Sequence, residues 1–145
     1  MRKRNIYRSG FTLIELLLVM VILVVLAAVV VPRFSNRSEQ AKNTAARTQI
    51  NAFETALDAF EVEVGRYPTA DEGLRALVEQ PPGAQGWKAG GYIKQIPMDP
   101  WNNPYVYRYP GTHNTTGPDI FSMGPDGHEG GGDDLDNWSG GQTSK

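Results

Sequence analysis

The densest group of side chains suited to chemistry lies near the C-terminus, in the acidic glycine loop Met123–Asp136. Its carboxylates include Asp126, Asp133 and Asp134, and the glycines between them let backbone carbonyls turn inward. Calcium binds about six to eight such oxygens. The spacing is not that of an EF-hand, because the third and fifth positions, counted with Asp126 as the first, are His128 and Gly130. Composition alone favours a solvated acidic loop and leaves a calcium site open.

Side chains for catalysis are otherwise scarce. The chain has no cysteine, and its two histidines are His113 and His128. Zinc chemistry and cysteine nucleophiles are therefore excluded as main functions. A membrane-tethered, calcium-dependent hydrolase using His128 is a minor alternative that no second group of residues supports. We predict no catalytic residue, and a small head without disulfides needs another source of stability.

Glu15 is the second residue that asks for an explanation. It is the sole charged residue in the apolar stretch 11–31, which as a helix would span the roughly 30 Å hydrocarbon core of a bilayer. A carboxylate there costs about 3 kcal/mol on insertion. Spacing alone leaves two interpretations open, a glutamate that snorkels to the membrane edge and a functional charge.

The apolar stretch predicts a transmembrane and assembly helix over residues 11–32. Four cations and no acidic residue precede it (Arg2, Lys3, Arg4 and Arg8). By the positive-inside rule the N-terminus is cytoplasmic and the remainder crosses the membrane. A cleaved secretory signal is the main alternative, but the stretch is too long and Leu26-Ala27-Ala28 is a poor cleavage site.

The charge of the remainder argues against nucleic acid as a partner. Ten of the 14 basic residues and 15 of the 16 acidic residues follow Pro32. Nucleic acids and anionic lipids require clustered cations, which this acidic part does not supply.

Periodicity predicts the elements that position these groups. Apolar residues at helical spacing predict one stripe that packs on the head's own sheet (Ala46, Ile50, Phe53, Leu57, Phe60 and Val64). Pro32 predicts a kink or local unwinding between this helix and the apolar one. Thr69 and Glu72 form a capping box that opens a short helix with Leu74, Leu77 and Val78 inward.

Short alternating stretches predict the strands. Tyr105–Tyr109 and Asp119–Met123 are the stronger candidates, and Gly91–Ile96 is a weaker third. The fold class is therefore α+β, a long N-terminal helix with a small antiparallel sheet. The head occupies residues 33–139, and residues 140–145 read as a flexible tail.

Four motifs together resemble one family. They are SGFTLIE at Ser9–Glu15, RYPTADEGLRAL at Arg66–Leu77, MDPWNNPYVY at Met98–Tyr107 and DIFSMGPDG at Asp119–Gly127. The first is similar to the type IV prepilin cleavage and methylation motif, and the other three resemble the major pseudopilin of bacterial type II secretion, the general secretion pathway protein G family. The resemblance implies a type IV pilin-like fold. One departure is Asn102-Asn103, where the family usually has a glycine before Asn-Pro. Asparagine tolerates a left-handed backbone better than most residues, so this change does not threaten the fold.

The resemblance also implies processing and location. The leader, residues 1–10, would be removed between Gly10 and Phe11 by the prepilin peptidase, and the new amino terminus of Phe11 would be N-methylated. Glu15 would neutralise that amine in a neighbouring subunit during assembly. The protein would then be a single-pass inner-membrane protein that enters a periplasmic pseudopilus.

Partners and metal follow from the same resemblance. The implied partners are further copies of the chain, the prepilin peptidase, minor pseudopilins and the inner-membrane assembly platform. The implied calcium ligands are side chains of Asp126, Asp133 and Asp134 and backbone oxygens of Met123 and His128. A type IV pilus subunit and a minor pseudopilin are structural alternatives, and the missing C-terminal cysteine pair argues against the pilus.

Overall fold

The structure is a computed structural model that describes residues 10–139, without the side chains of residues 28–36. The predicted tail, 140–145, and all of the predicted leader except Gly10 lie outside these residues. The chain divides into two compact units, the first comprising residues 1–39 and the second residues 40–145.

One helix, α1, runs from Leu13 to Val64 over 52 residues. It begins after Thr12, whose N–H donates to Glu15 Oε2 at 3.5 Å and whose Oγ1 accepts from the Glu15 N–H at 3.4 Å. This is the reciprocal pattern of a capping box. The helix ends at Val64, and the next residue, Gly65, has a φ of +83° that favours glycine.

Pro32 does not interrupt the helix. The backbone is helical at Pro32 and on both sides of it, so of the two predicted alternatives, a kink and a local unwinding, the unwinding is wrong. A proline removes one intrahelical hydrogen bond, and here that loss does not end the helix.

In the first unit, residues 11–27, which are the two residues before α1 and its first part, are exposed throughout. Their large apolar side chains range from 48% exposed at Val19 to 79% at Phe11. Among the described residues, no helix offers an apolar stretch long enough to cross a membrane. For residues 28–32, the end of the predicted anchor, the structure describes the backbone but not the side chains.

The predicted apolar stripe forms the core of the second unit. Five of its members are buried (Ala46, Ile50, Phe53, Leu57 and Phe60), and Val64 packs against them half-buried. Phe53 meets Tyr105 edge-on, with ring centroids 5.1 Å apart. The prediction that this stripe packs within its own head is confirmed.

The short helix is present as a 3₁₀ helix over Gly73–Leu77. The capping box precedes it, since the Thr69 N–H donates to Glu72 Oε2 at 2.8 Å and the Glu72 N–H donates to Thr69 Oγ1 at 3.3 Å. Leu74 and Leu77 are buried as predicted, whereas Val78 is half-buried.

Three antiparallel strands form the sheet in the order β1-β2-β3. They are β1 (Val106–Arg108), β2 (Asp119–Ser122) and β3 (Leu135–Asp136). Tyr107 pairs with Ile120, and Ser122 pairs with Leu135. The first two strands lie inside their predicted ranges.

The predicted third strand, Gly91–Ile96, is wrong. The N–H groups of Tyr92 and Ile93 donate to the carbonyl of Leu77 at 2.8 and 3.3 Å, at the end of the 3₁₀ helix. These two N–H groups therefore cannot pair with a neighbouring strand. Gly91 also has a φ of +81°, outside the extended region. The third strand is instead β3, so the acidic glycine loop follows β2 directly and its last two residues form β3.

Candidate functional site

The acidic glycine loop folds back so that the segment around Gly124, its first arm, touches the segment around Asp133, its second arm. Gly124 in the first arm has a φ of +66°, and a Cβ there would lie 2.5 Å from the carbonyl oxygen of Asp133 in the second arm. A Cβ on Gly131 would lie 3.0 Å from Asp133 Oδ1 and 3.1 Å from Asp126 Oδ2. The carboxylates of Asp126 and Asp133 therefore approach the same glycine.

Backbone N–H groups hold part of each carboxylate. Asp126 Oδ1 accepts from the His128 N–H at 2.8 Å, and Asp133 Oδ2 accepts from the Asp126 N–H at 3.3 Å. Asp134 Oδ2 accepts from the Gly130 N–H at 2.8 Å. The three aspartates are thus linked through the loop's own backbone.

Asp134 has a buried carboxylate oxygen, Oδ1, that lacks a hydrogen-bond partner among the described residues. Burial raises the pKa of Asp134, the Gly130 N–H lowers it, and the negative charges of Asp133, Asp126 and Glu129 raise it further. A buried, unpaired carboxylate oxygen is costly, and a hard cation would satisfy it.

The side chains alone do not complete a site. Among the described residues, no three His, Cys, Asp or Glu side chains lie close enough together to hold a metal ion. A cation here would also need backbone oxygens, the role implied for Met123 and His128. Met123 is half-buried at the end of β2, and His128 is exposed.

The other two carboxylates of the loop are engaged elsewhere. Glu129 accepts both guanidinium N–H groups of Arg108, at 2.7 and 2.6 Å. Asp136 Oδ1 accepts from the N–H groups of Trp138 and Ser139, at 3.1 and 2.6 Å. These contacts agree with the absence of both residues from the implied ligand set.

A second buried carboxylate, which sequence reasoning missed, organises the loop between β1 and β2. Asp119 is 1% exposed and accepts the N–H groups of Thr112, His113 and Asn114 at 2.7 to 2.9 Å. Burial raises the pKa of Asp119, but these N–H groups and the His113 ring lower it to about 2. His113 also stacks on Trp138, with ring centroids 4.1 Å apart.

At the other end of the chain, the predicted processing residues are accessible. Gly10 and Phe11 are exposed, and Phe11 directly precedes the Thr12–Glu15 cap. The Glu15 carboxylate lies one helical turn from Phe11, on the exposed start of α1. The apolar surface that follows it requires lipid or another protein to cover it.

Comparisons with known proteins agree with this arrangement. A family model described as "Prokaryotic N-terminal methylation motif" matches residues 6–31, and one described as "Type II secretion system (T2SS), protein G" matches residues 33–138. The exposed N-terminal helix and the α+β head therefore define a pilin-like protein with a methylation motif. Within that class, the chain belongs to the type II secretion system protein G family.

Two relatives and one solved structure show how far the similarity extends. The type II secretion system core protein G of Pseudomonas aeruginosa is 48% identical over 138 residues, covering 90% of this chain and 95% of the relative. That of Aeromonas hydrophila is 46% identical and covers 96% of both. The crystal structure of the major pseudopilin of enterohaemorrhagic Escherichia coli matches with a TM-score of 0.66 at 37% identity, covering 76% of this chain and 97% of that one.

These matches confirm the predicted family and the type IV pilin-like α+β fold. They also confirm the predicted role at family level, a major pseudopilin of type II secretion. Asn102 has a φ of +71°, in the left-handed region that asparagine tolerates.

Proposed function

We propose that this chain is the polymerising subunit of a periplasmic pseudopilus, whose growth drives folded proteins through an outer-membrane secretin. The observation that carries the proposal is the first unit, where the large apolar side chains of residues 11–27, at and just before the start of α1, are all exposed. Such a helix needs lipid before assembly and neighbouring helices after it. The role is structural, and it requires no catalytic residue.

Processing would convert the precursor into the assembling form. Cleavage between Gly10 and Phe11 by the prepilin peptidase exposes an amine at the N-terminus of α1. The helix dipole makes a positive charge unfavourable there, so a nearby anion is required. Glu15 is the first acidic residue of the helix, and pairing it with the Phe11 amine of a neighbour would favour ordered assembly.

The remaining partners follow from the proposed pathway. The precursor would sit in the inner membrane with its N-terminus in the cytoplasm and its head in the periplasm. It would meet the prepilin peptidase, the inner-membrane assembly platform, minor pseudopilins and further copies of itself. Nucleic acid is not among the proposed partners, because the head is acidic.

We also propose that the acidic glycine loop binds one calcium ion. The unpaired Asp134 Oδ1 and the approach of Asp126 and Asp133 to one glycine support this site. Binding would draw the side chains of these three aspartates closer together, and backbone oxygens of Met123 and His128 would complete the ligand set. Bound calcium would supply positive charge that links the two arms and stabilises a head without disulfides.

Mass analysis of the chain purified from membranes of its own host tests the processing step. We expect a mature protein that starts at Phe11 and carries one methyl group on its amino terminus, because the exposed Gly10–Phe11 bond follows a basic leader. A start near residue 29 would support the secretory-signal alternative. An intact Met1 terminus would contradict the proposed assembly route.

A further inference from the structure

A buried polar cluster lies between the turn Asp99–Asn103 and the start of the acidic glycine loop. Asp99 is 5% exposed and Ser122 is fully buried. Asp99 Oδ1 accepts from the N–H groups of Trp101 and Asn103, at 3.0 and 2.7 Å. The Asp99 N–H in turn donates to the carbonyl of Asn103 at 2.9 Å. The turn is therefore closed on itself by both backbone and carboxylate.

Two connections run from this turn to Gly124. Ser122 Oγ donates to Asp99 Oδ2 at 2.5 Å and accepts from the Gly124 N–H at 3.2 Å. Asn103 Nδ2 donates to the Gly124 carbonyl at 3.0 Å. The Gly124 carbonyl is thus held directly by Asn103, and its N–H is held by the neighbouring Ser122, whose hydroxyl is itself fixed by Asp99.

Asn103 also lies close to Gly127, three residues after Gly124 in the acidic glycine loop. A Cβ on Gly127 would lie 3.3 Å from Asn103 Oδ1, so the Asn103 amide lies against both Gly124 and Gly127. The peptide between these glycines contains Asp126, and Gly124 itself contacts Asp133 of the second arm. The position of Gly124 therefore determines where the two arms meet.

A buried carboxylate and hydroxyl are costly unless every polar atom is satisfied, and a plain apolar core would avoid the cost. Here the cluster fixes backbone that has no regular secondary structure of its own. We propose that the Asp99–Asn103 turn is a positioning element for the acidic glycine loop. Asn103 and Asp99, acting through Ser122, place Gly124 so that the Met123 carbonyl and the aspartates converge on one cation.

This inference rests on the proposed calcium site and goes beyond its ligands. Groups that orient metal ligands without touching the metal change affinity by about 10- to 100-fold when removed. Asn103 is the cleanest test, because its side chain is only half-buried and makes one direct bond to the loop backbone. Asn114 is a matched control, since its Nδ2 donates to the Pro118 carbonyl at 3.1 Å in a different loop.

The test compares Asn103→Ala and Asn114→Ala in the full chain in detergent micelles. Calcium is titrated by calorimetry, and amide exchange is measured in EDTA. We expect Asn103→Ala to raise the calcium Kd about tenfold or more and Asn114→Ala to leave it unchanged. We also expect amides between Gly124 and Gly130 to exchange about fivefold faster in Asn103→Ala alone, the effect of losing one hydrogen bond.

The possible outcomes separate the two proposals. If the wild type binds calcium and both variants match its affinity, the positioning role is overturned and the calcium site stands. If the wild type binds no calcium, the calcium site fails, and equal exchange in the two variants would overturn the positioning role as well. Should Asn103→Ala not fold, Ser122→Ala removes the Asp99 connection instead and carries the same expectations.

Discussion

Replacing Glu15 by alanine is expected to give a chain that is inserted and cleaved but does not assemble. The change removes an insertion cost of about 3 kcal/mol, so membrane insertion should not suffer. It also removes the proposed counter-charge for the Phe11 amine, and an unpaired amine in an apolar filament core is costly. The measurement is sheared-filament yield together with the N-terminal mass of the membrane fraction.

Glu15→Gln separates the charge from the helix cap. Glutamine has nearly the same shape and retains an oxygen that can accept from the Thr12 N–H, as Glu15 Oε2 does at 3.5 Å. We expect Glu15→Gln to fail in assembly as Glu15→Ala does. Normal filaments from Glu15→Gln would assign the residue to capping, and normal filaments from both variants would leave it as a snorkelling residue.

Chelation of calcium is expected to lower the melting temperature of the head by about 10 °C, since a free ion at 100 times its Kd adds about 2.7 kcal/mol. All three tryptophans, Trp87, Trp101 and Trp138, lie in the head, so their fluorescence reports its unfolding. Magnesium should not substitute, because it prefers a smaller octahedron and retains its waters.

Two variants make this measurement specific. Asp134→Ala removes the unpaired buried oxygen and should abolish the difference between calcium and EDTA. Glu129→Ala removes a charge from the same loop, but one that is paired with Arg108, and should keep the difference. Identical melting curves of the wild type in calcium and in EDTA would return the loop to a solvated acidic segment.

The sequence predicted the helical part of the fold because its signals are local. The stripe from Ala46 to Phe60 repeats at helical spacing, and the Thr69–Glu72 capping box acts over three residues. Strands were harder to predict. Leu135–Asp136 is too short for any alternation to be visible, while Gly91–Ile96 alternates but gives the N–H groups of Tyr92 and Ile93 to the Leu77 carbonyl.

The candidate site divides in the same way. The aspartates of the acidic glycine loop are visible from composition, and the leader and Glu15 from the N-terminal motif. The cluster of Asp99, Asn103 and Ser122 was missed, because the Asp99–Asn103 turn lies 21 to 23 residues from the partners it meets, and they meet only in the folded chain. Asp119 was missed for a related reason, since nothing in its strand pattern marks a buried charge.

Secretion by a strain that lacks this gene tests the central claim most directly. Folded exoproteins are quantified in the culture supernatant and in the periplasm, with complementation by the wild type and by Glu15→Ala. We expect exoproteins to accumulate in the periplasm, the wild type to restore their export, and Glu15→Ala not to restore it. Unchanged secretion accompanied by loss of surface pili would contradict the account and identify a type IV pilus subunit instead.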